Sequence, residues 1–166
     1  MELYLEKLRA GDAEELFVFE CSNRTFFEKT VPSRGEDYYT FEMFQKIFYE
    51  LLQEQFECIS YFHLIKNHEG TIVGRMNLVD IEKDKELGYL GYRIGEKYAR
   101  RGIATKGVKL LLAEAANYHV TEIHAKTTTD NIASQKVLEK SNFSRSSIDE
   151  NVAQTDFIHY VWRHTN

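Results

Sequence analysis

The sequence predicts a mixed α/β fold, and three observations point to it. Between Ser60 and Val79, two runs rich in apolar residues flank a polar turn, the mark of an antiparallel hairpin. From Gly102 onward, helical and strand-like periods take turns, as crossover connections require. The chain has 166 residues, 43% hydrophobic and 13% aromatic, enough to bury a core without a long linker, so residues 1–166 are expected to form one domain.

Leu3 to Leu8 reads as a first strand. Asp12-Ala13-Glu14-Glu15 places an acid three residues after a capping side chain, which starts a helix carrying Leu16, Phe17 and Phe19. The pattern breaks at Pro32-Ser33-Arg34-Gly35. Thr40 then opens a second helix with Phe41, Phe44, Phe48, Leu51 and Leu52 at helical spacing, a core-packing pattern. The hairpin follows, with Tyr61–Ile65 and Thr71–Val79 joined by Asn67-His68-Glu69-Gly70. A charged turn, Glu82-Lys83-Asp84-Lys85, leads to a strand from Leu87 to Ile94. The helix from about Gly102 is expected to bury Ala104, Val108, Leu111, Leu112 and Ala115. Glu122 to Thr128 reads as a strand, Asn131 starts another helix, and Phe157 to Trp162 forms a closing strand. No internal repeat or low-complexity tract interrupts this order.

Composition excludes several classes of function. No apolar run is long enough to span a bilayer, and the start, Met1-Glu2-Leu3-Tyr4-Leu5-Glu6-Lys7, lacks a signal-peptide layout, so a cytoplasmic protein without a membrane partner is expected. Cys21 and Cys58 fit no metal or redox spacing and read as buried or incidental thiols; a catalytic cysteine would need an electropositive, partly exposed setting. The six histidines also lack metal spacing, so no metal is expected. A formal charge of −5 argues against nucleic acid and suits a cationic acceptor, although a local basic patch is compatible with it.

The segment Tyr98-Ala99-Arg100-Arg101-Gly102-Ile103-Ala104-Thr105 has the makings of an anion site. Gly102 permits a tight turn, and the first turn of the following helix leaves N–H groups unpartnered at the positive end of its dipole. Arg100 and Arg101 read either as phosphate partners or as solvated loop charges. Downstream, at a distance of one helix and one strand, Asn131-Ile132-Ala133-Ser134 runs into Val137-Leu138-Glu139-Lys140-Ser141-Asn142-Phe143.

These two segments resemble the GNAT N-acetyltransferase superfamily, nearest its ribosomal-protein-alanine N-acetyltransferase subgroup. Of the pattern Gln/Arg-x-x-Gly-x-Gly/Ala, Gly102 and Ala104 match and Ala99 departs; the second segment is similar to Asn-x-x-Ser/Ala running to Leu-Glu-Lys-x-Gly-Phe, with Asn142 replacing Gly. Asn tolerates the left-handed backbone expected there.

The resemblance implies a mostly antiparallel sheet, splayed in the middle and flanked by helices. It implies acetyl-CoA as cosubstrate and direct acetyl transfer to a primary amine, without a covalent enzyme intermediate. Tyr92, Arg93 and Ile94 would line the pantetheine arm. Arg100, Arg101 and the backbone of Gly102, Ile103, Ala104 and Thr105 would hold the pyrophosphate, with Lys136 either reaching a phosphate or lying on a solvated helix face. Asn131 would cap its helix and bond the arm. Ser134 would protonate the leaving sulfur, since Leu138 stands where many members carry Tyr. Glu86 is the expected base, with Glu28 as a rival and ordered water as an alternative. The helix after Thr40 would pack the core or wall an acceptor groove.

Several acceptors are compatible with the resemblance: a protein N-terminus, ribosomal or other, or a small-molecule amine such as an antibiotic or polyamine. The departures at Ala99 and Leu138 leave a noncatalytic acyl-CoA-binding regulatory module as a further reading. Monomer and homodimer fit equally.

Overall fold

The computed structural model describes residues 1–146 and 157–165. Its strands are β1 (Leu3–Lys7), β2 (Tyr61–Asn67), β3 (Ile72–Glu82), β4 (Leu87–Ile94), β5 (Glu122–Thr128), β6 (Ser144–Arg145) and β7 (Phe157–Arg163). Its α-helices are α1 (Ala13–Ser22), α2 (Arg24–Phe27), α3 (Phe41–Phe56), α4 (Ile103–Glu114) and α5 (Ile132–Lys140). The strands form one sheet in the order β1-β2-β3-β4-β5-β7-β6. Among the described strands only β4 and β5 pair in parallel, and a parallel pair needs a long crossover, which α4 supplies.

Each face of the sheet buries its own apolar cluster. On one, α4 and α5 cover Met76, Leu78, Ile123, Ala125, Ile158 and Tyr160. On the other, α1 and α3 cover Phe62 and Leu64, with Leu16, Phe19, Phe44 and Phe48 pointing inward. The second long helix thus packs the core as its spacing predicts, although Phe41 is only half-buried.

The β4–β5 ladder has three rungs, Leu87↔Glu122, Gly88↔Ile123 and Tyr89↔His124. Beyond Tyr89, β4 continues to Ile94 paired with β3 alone, while β5 continues to Thr128 against β7, so a gap opens in the middle of the sheet. Backbone direction follows from alternation along β4. The Gly95 N–H donates to the Val73 carbonyl at 2.9 Å, so Gly91 and Arg93 turn their main chain to β3. The Glu86 carbonyl instead accepts from Thr121 at 2.8 Å and Glu122 at 3.1 Å on the β5 side, so Leu90, Tyr92 and Ile94 turn theirs into the gap.

Some local expectations give way. Asp12 precedes α1, yet its carboxylate accepts from the Arg9 backbone N–H at 2.8 Å rather than from the helix, because a 3-10 turn over Ala10–Asp12 comes first. In α4 the buried stripe is Ile103, Gly107, Val108 and Leu111, continuing to Ala115; Ala104 and Leu112 are half-buried, because the helix sits rotated with Gly107 against Ile65 and Met76. Both cysteines are exposed rather than buried: Cys21 follows the inward-facing Glu20 on α1, and Cys58 occupies a left-handed turn after α3. Asn142 takes φ +66°, the left-handed helix exit expected of it. The short α2 and the two-residue β6 carry no periodicity that a sequence reading could detect.

Candidate functional site

The gap between β4 and β5 brings together the two segments singled out by sequence. At its α5 edge, Tyr92 and Ser134 approach to 2.8 Å between hydroxyl oxygens. Tyr92 projects from β4 toward α5, and burial pushes its phenol pKa up, which keeps the proton on it. Ser134 is held in the first turn of α5 by the Asn131 cap, whose side-chain oxygen accepts the Ser134 N–H at 3.1 Å. The Asn131 amide N–H2 has no partner among the described residues.

Beyond the C-terminal end of β4, Gly102 adopts φ +76° and open space lies where a side chain would project. Arg100 is also left-handed, at φ +63°. No side chain caps α4, and the first intrahelical bond runs from Lys106 N–H to the Gly102 carbonyl at 3.1 Å. The N–H groups of Ile103, Ala104 and Thr105 therefore find no partner among the described residues. Arg100 and Arg101 are exposed beside them, giving this end a positive field.

The remaining site residues divide. Tyr92 and Ile94 present main-chain groups to the gap. Arg93 does not: its main chain faces β3, and its side chain lies on the opposite face, 2.9 Å from Glu20 and over the Phe27 ring at 4.6 Å. The expectation that Arg93 lines the same arm as its neighbours fails because a strand alternates its residues between two faces. Lys136 is exposed and lies about 200° around α5 from Ser134, on its far side.

Glu86 is exposed in a left-handed turn at φ +52°, six residues before Tyr92, a strand distance of roughly 20 Å. It is not brought to the Tyr92–Ser134 pair. Glu28 accepts from Ser33 at 2.8 Å and from Arg24 at 3.1 Å, and these bonds hold its carboxyl below the usual range. Such a carboxylate is a poor proton acceptor.

Two contacts escaped the sequence reading. Tyr92, expected to line the pantetheine arm, also brings its phenol to Ser134 on α5; the strand and helix meet only in three dimensions, so no local spacing reveals it. The second is a histidine pair on the α1 face: His124 Nδ1 lies 2.9 Å from His159 Nε2, and His124 Nε2 lies 2.9 Å from Glu122 Oε2. Alternation along β5 and β7 places these side chains on one face, but their pairing depends on a register between distant strands. Among the described residues no group of three or more His, Cys, Asp or Glu is placed to hold a metal, and no helix is long and apolar enough to cross a membrane.

Residues 2–144 match the model of the GNAT acetyltransferase domain. The chain is 30% identical over 152 residues to a probable N-acetyltransferase, YjcK, of Bacillus subtilis, covering 88% of this chain and 82% of that protein. Its fold superposes on the ribosomal-protein-S5-alanine acetyltransferase of Vibrio fischeri with a TM-score of 0.86 at 18% identity, covering 100% of this chain and 95% of that one. The microcin C7 self-immunity acetyltransferase MccE, solved with acetyl-CoA and AMP, gives 0.83 at 17% identity, with 98% and 93% covered.

Proposed function

The chain belongs to the GNAT acetyltransferase family, and from that premise we propose that it transfers acetyl from acetyl-CoA directly to the α-amine of a protein N-terminus. It is an N-acetyltransferase, with acetyl-CoA as its cosubstrate. The observation that carries the reading of the site is the Tyr92–Ser134 contact at the edge of the open sheet. The likeness to the Vibrio fischeri enzyme, which by name acts on an alanine of a ribosomal protein, favours a protein N-terminus as acceptor.

The residues present fit the cosubstrate. Uncapped N–H groups of Ile103, Ala104 and Thr105, with Gly102 leaving room and Arg100 and Arg101 adding charge, suit a pyrophosphate. Main-chain groups of Tyr92 and Ile94, with the Asn131 amide, suit the amide groups of a pantetheine arm. Lys136 belongs to the solvated face of α5 in this reading.

The amine must arrive neutral and attack the thioester carbonyl; the departing sulfur needs a proton. Ser134 Oγ delivers that proton, drawing on the Tyr92 phenol behind it. Glu86 stands too far along β4 to act on the same group without intervening water. Orientation in the gap supplies much of the rate, since transfer requires no covalent enzyme intermediate.

The test is acetylation of peptides with free α-amines beside polyamines and lysine-blocked controls, read by mass spectrometry. Acetyl is expected on the α-amine of peptides. Tyr92→Phe and Ser134→Ala are each expected to lower kcat about 10²-fold while leaving acetyl-CoA affinity in place. Turnover of polyamines alone would move the acceptor to small molecules, and unchanged kcat in both variants would remove the acid assignment.

A further inference from the structure

The charges on the α1 face of the sheet do not balance. The two oxygens of Glu20 each accept from a guanidinium, Arg75 on β3 at 2.6 Å and Arg93 on β4 at 2.9 Å. Those two arginines stand directly opposite one another in the β3–β4 ladder, where like charges repel. A third guanidinium, that of Arg34, lies over the Tyr38 ring at 5.0 Å and repels Arg93 as well; it makes no ion pair among the described residues. On the neighbouring segment the carboxylates of Glu28 and Glu36 are both taken by Arg24. Three cations thus act on the single Glu20 carboxylate, in a chain whose formal charge is −5.

Glu20 neutralises one of its partners and not the other. Arg75 keeps only 5% of its side chain exposed; burial works against its charge, yet the carboxylate outweighs burial and its pKa is raised. At Arg93 the sign reverses: burial, helped by Arg34 and Arg75, outweighs the same carboxylate and pushes the pKa down. A guanidinium stays protonated regardless, so Arg93 is a cation short of counter-charge.

Arg93 is also reachable. Its side chain is 17% exposed, its guanidinium rests over the Phe27 ring at 4.6 Å, and of its nitrogens only Nη1 has a partner among the described residues. Nε and Nη2 remain, and together they form the fork that takes both oxygens of a carboxylate.

This fork lies on the side from which an acceptor must come. In the cosubstrate reading above, acetyl-CoA fills the α4 and α5 side of the gap, so the amine reaches the thioester from the α1 side, where Arg93 projects. Two residues earlier on the same face of β4 is Gly91, where an added β-carbon would meet no atom within 4 Å, so open space adjoins the gap there. The two positions are about 7 Å apart along a stretch of β4 that pairs with β3 at both. That is roughly the reach from an α-amine to an acidic side chain one residue further on in an extended peptide.

We propose that Arg93 is a specificity-determining residue that binds a carboxylate of the acceptor while the α-amine is held over Gly91, so that the substrates are N-termini followed by an acidic residue. This inference rests on the N-acetyltransferase reading above and narrows its acceptor. The same surplus of charge disfavours polyamines, whose cations would meet Arg34 and Arg93.

The experiment compares kcat and KM for peptides with Asp or Asn as second residue, for the α-amides of glutamate and glutamine, and for a polyamine, in wild type, Arg93→Gln and Arg93→Lys, with acetyl-CoA affinity measured alongside. In wild type the Asp peptide is expected to be favoured about tenfold in kcat/KM, chiefly through KM. Arg93→Gln is expected to abolish that preference at unchanged acetyl-CoA affinity. It leaves Glu20 and Arg75 as a neutral pair, so the fold is expected to hold. Arg93→Lys keeps the charge without the fork; it is expected to retain part of the preference, and it carries the test if Arg93→Gln does not fold. Equal turnover of the Asp and Asn peptides in wild type, or a preference that persists undiminished in both variants, overturns the proposal and leaves the protein-N-terminus reading standing. If only the small amides are acetylated, an Arg93-dependent preference for the glutamate α-amide supports the carboxylate site while the protein-N-terminus reading fails. Acetylation of the polyamine alone overturns both.

Discussion

Burial sets the chemistry of His63 more firmly than any partner does. Its Nδ1–H donates to the Met76 carbonyl at 3.1 Å, and its Nε2 accepts from the Tyr118 hydroxyl at 2.7 Å, so both ring nitrogens are satisfied in the neutral form. Burial lowers its pKa from 6.5 to about 4. Between those values the unfolded chain binds a proton that the folded chain refuses, so stability is complete above about pH 6.5 and falls as pH drops toward 4. The full loss is about 3 kcal/mol. Urea unfolding of wild type and His63→Gln across that window is expected to show a steeper acid decline in wild type; parallel curves would contradict this. At the same scale, Ser134 and Asn131 were legible because a cap and the third residue after it are local. Tyr92 was legible only as a residue lining the pantetheine arm, since its phenol's contact with Ser134 spans 42 positions.

At the scale of elements, Glu20 ties α1 to the middle of the sheet. Its fully buried carboxylate binds Arg75 on β3 at 2.6 Å and Arg93 on β4 at 2.9 Å. Burial alone works to raise its pKa, but the two guanidinium groups outweigh that and hold it down. Removing the carboxylate leaves Arg75 buried without a counter-charge. Glu20→Gln is therefore expected to destabilise the fold by about 3–5 kcal/mol in chemical denaturation, and a change near zero would contradict the role given to it. Sequence could not identify this cluster. Its members sit 55 and 73 positions apart, and each reads singly as a charge on a helix or strand. Strands from Leu3 to Thr128 were legible because their alternation, turns and lengths agree, as was α4, but the rotation of α4 was set by Gly107 against Ile65 and Met76 rather than by its apolar count.

For the whole molecule, the parallel pairing of β4 and β5 is the feature that opens the candidate site. Three rungs hold the two strands together at one end, and their divergence beyond Tyr89 exposes main-chain groups. Periodicity predicted a mixed α/β order, and the family resemblance supplied the splay; neither shows that β7 inserts between β5 and β6 or that it carries His159 to His124. Those are properties of registers between distant segments. In the proposed complex acetyl-CoA occupies this opening, with its pyrophosphate on the first turn of α4 beside Arg100 and Arg101. Isothermal titration of acetyl-CoA into wild type and an Arg100→Ala, Arg101→Ala double variant tests that placement most directly. Micromolar binding, roughly −8 kcal/mol, that weakens about tenfold or more in the variant is the expected result; equal affinity in both proteins, or no binding to wild type, would contradict it.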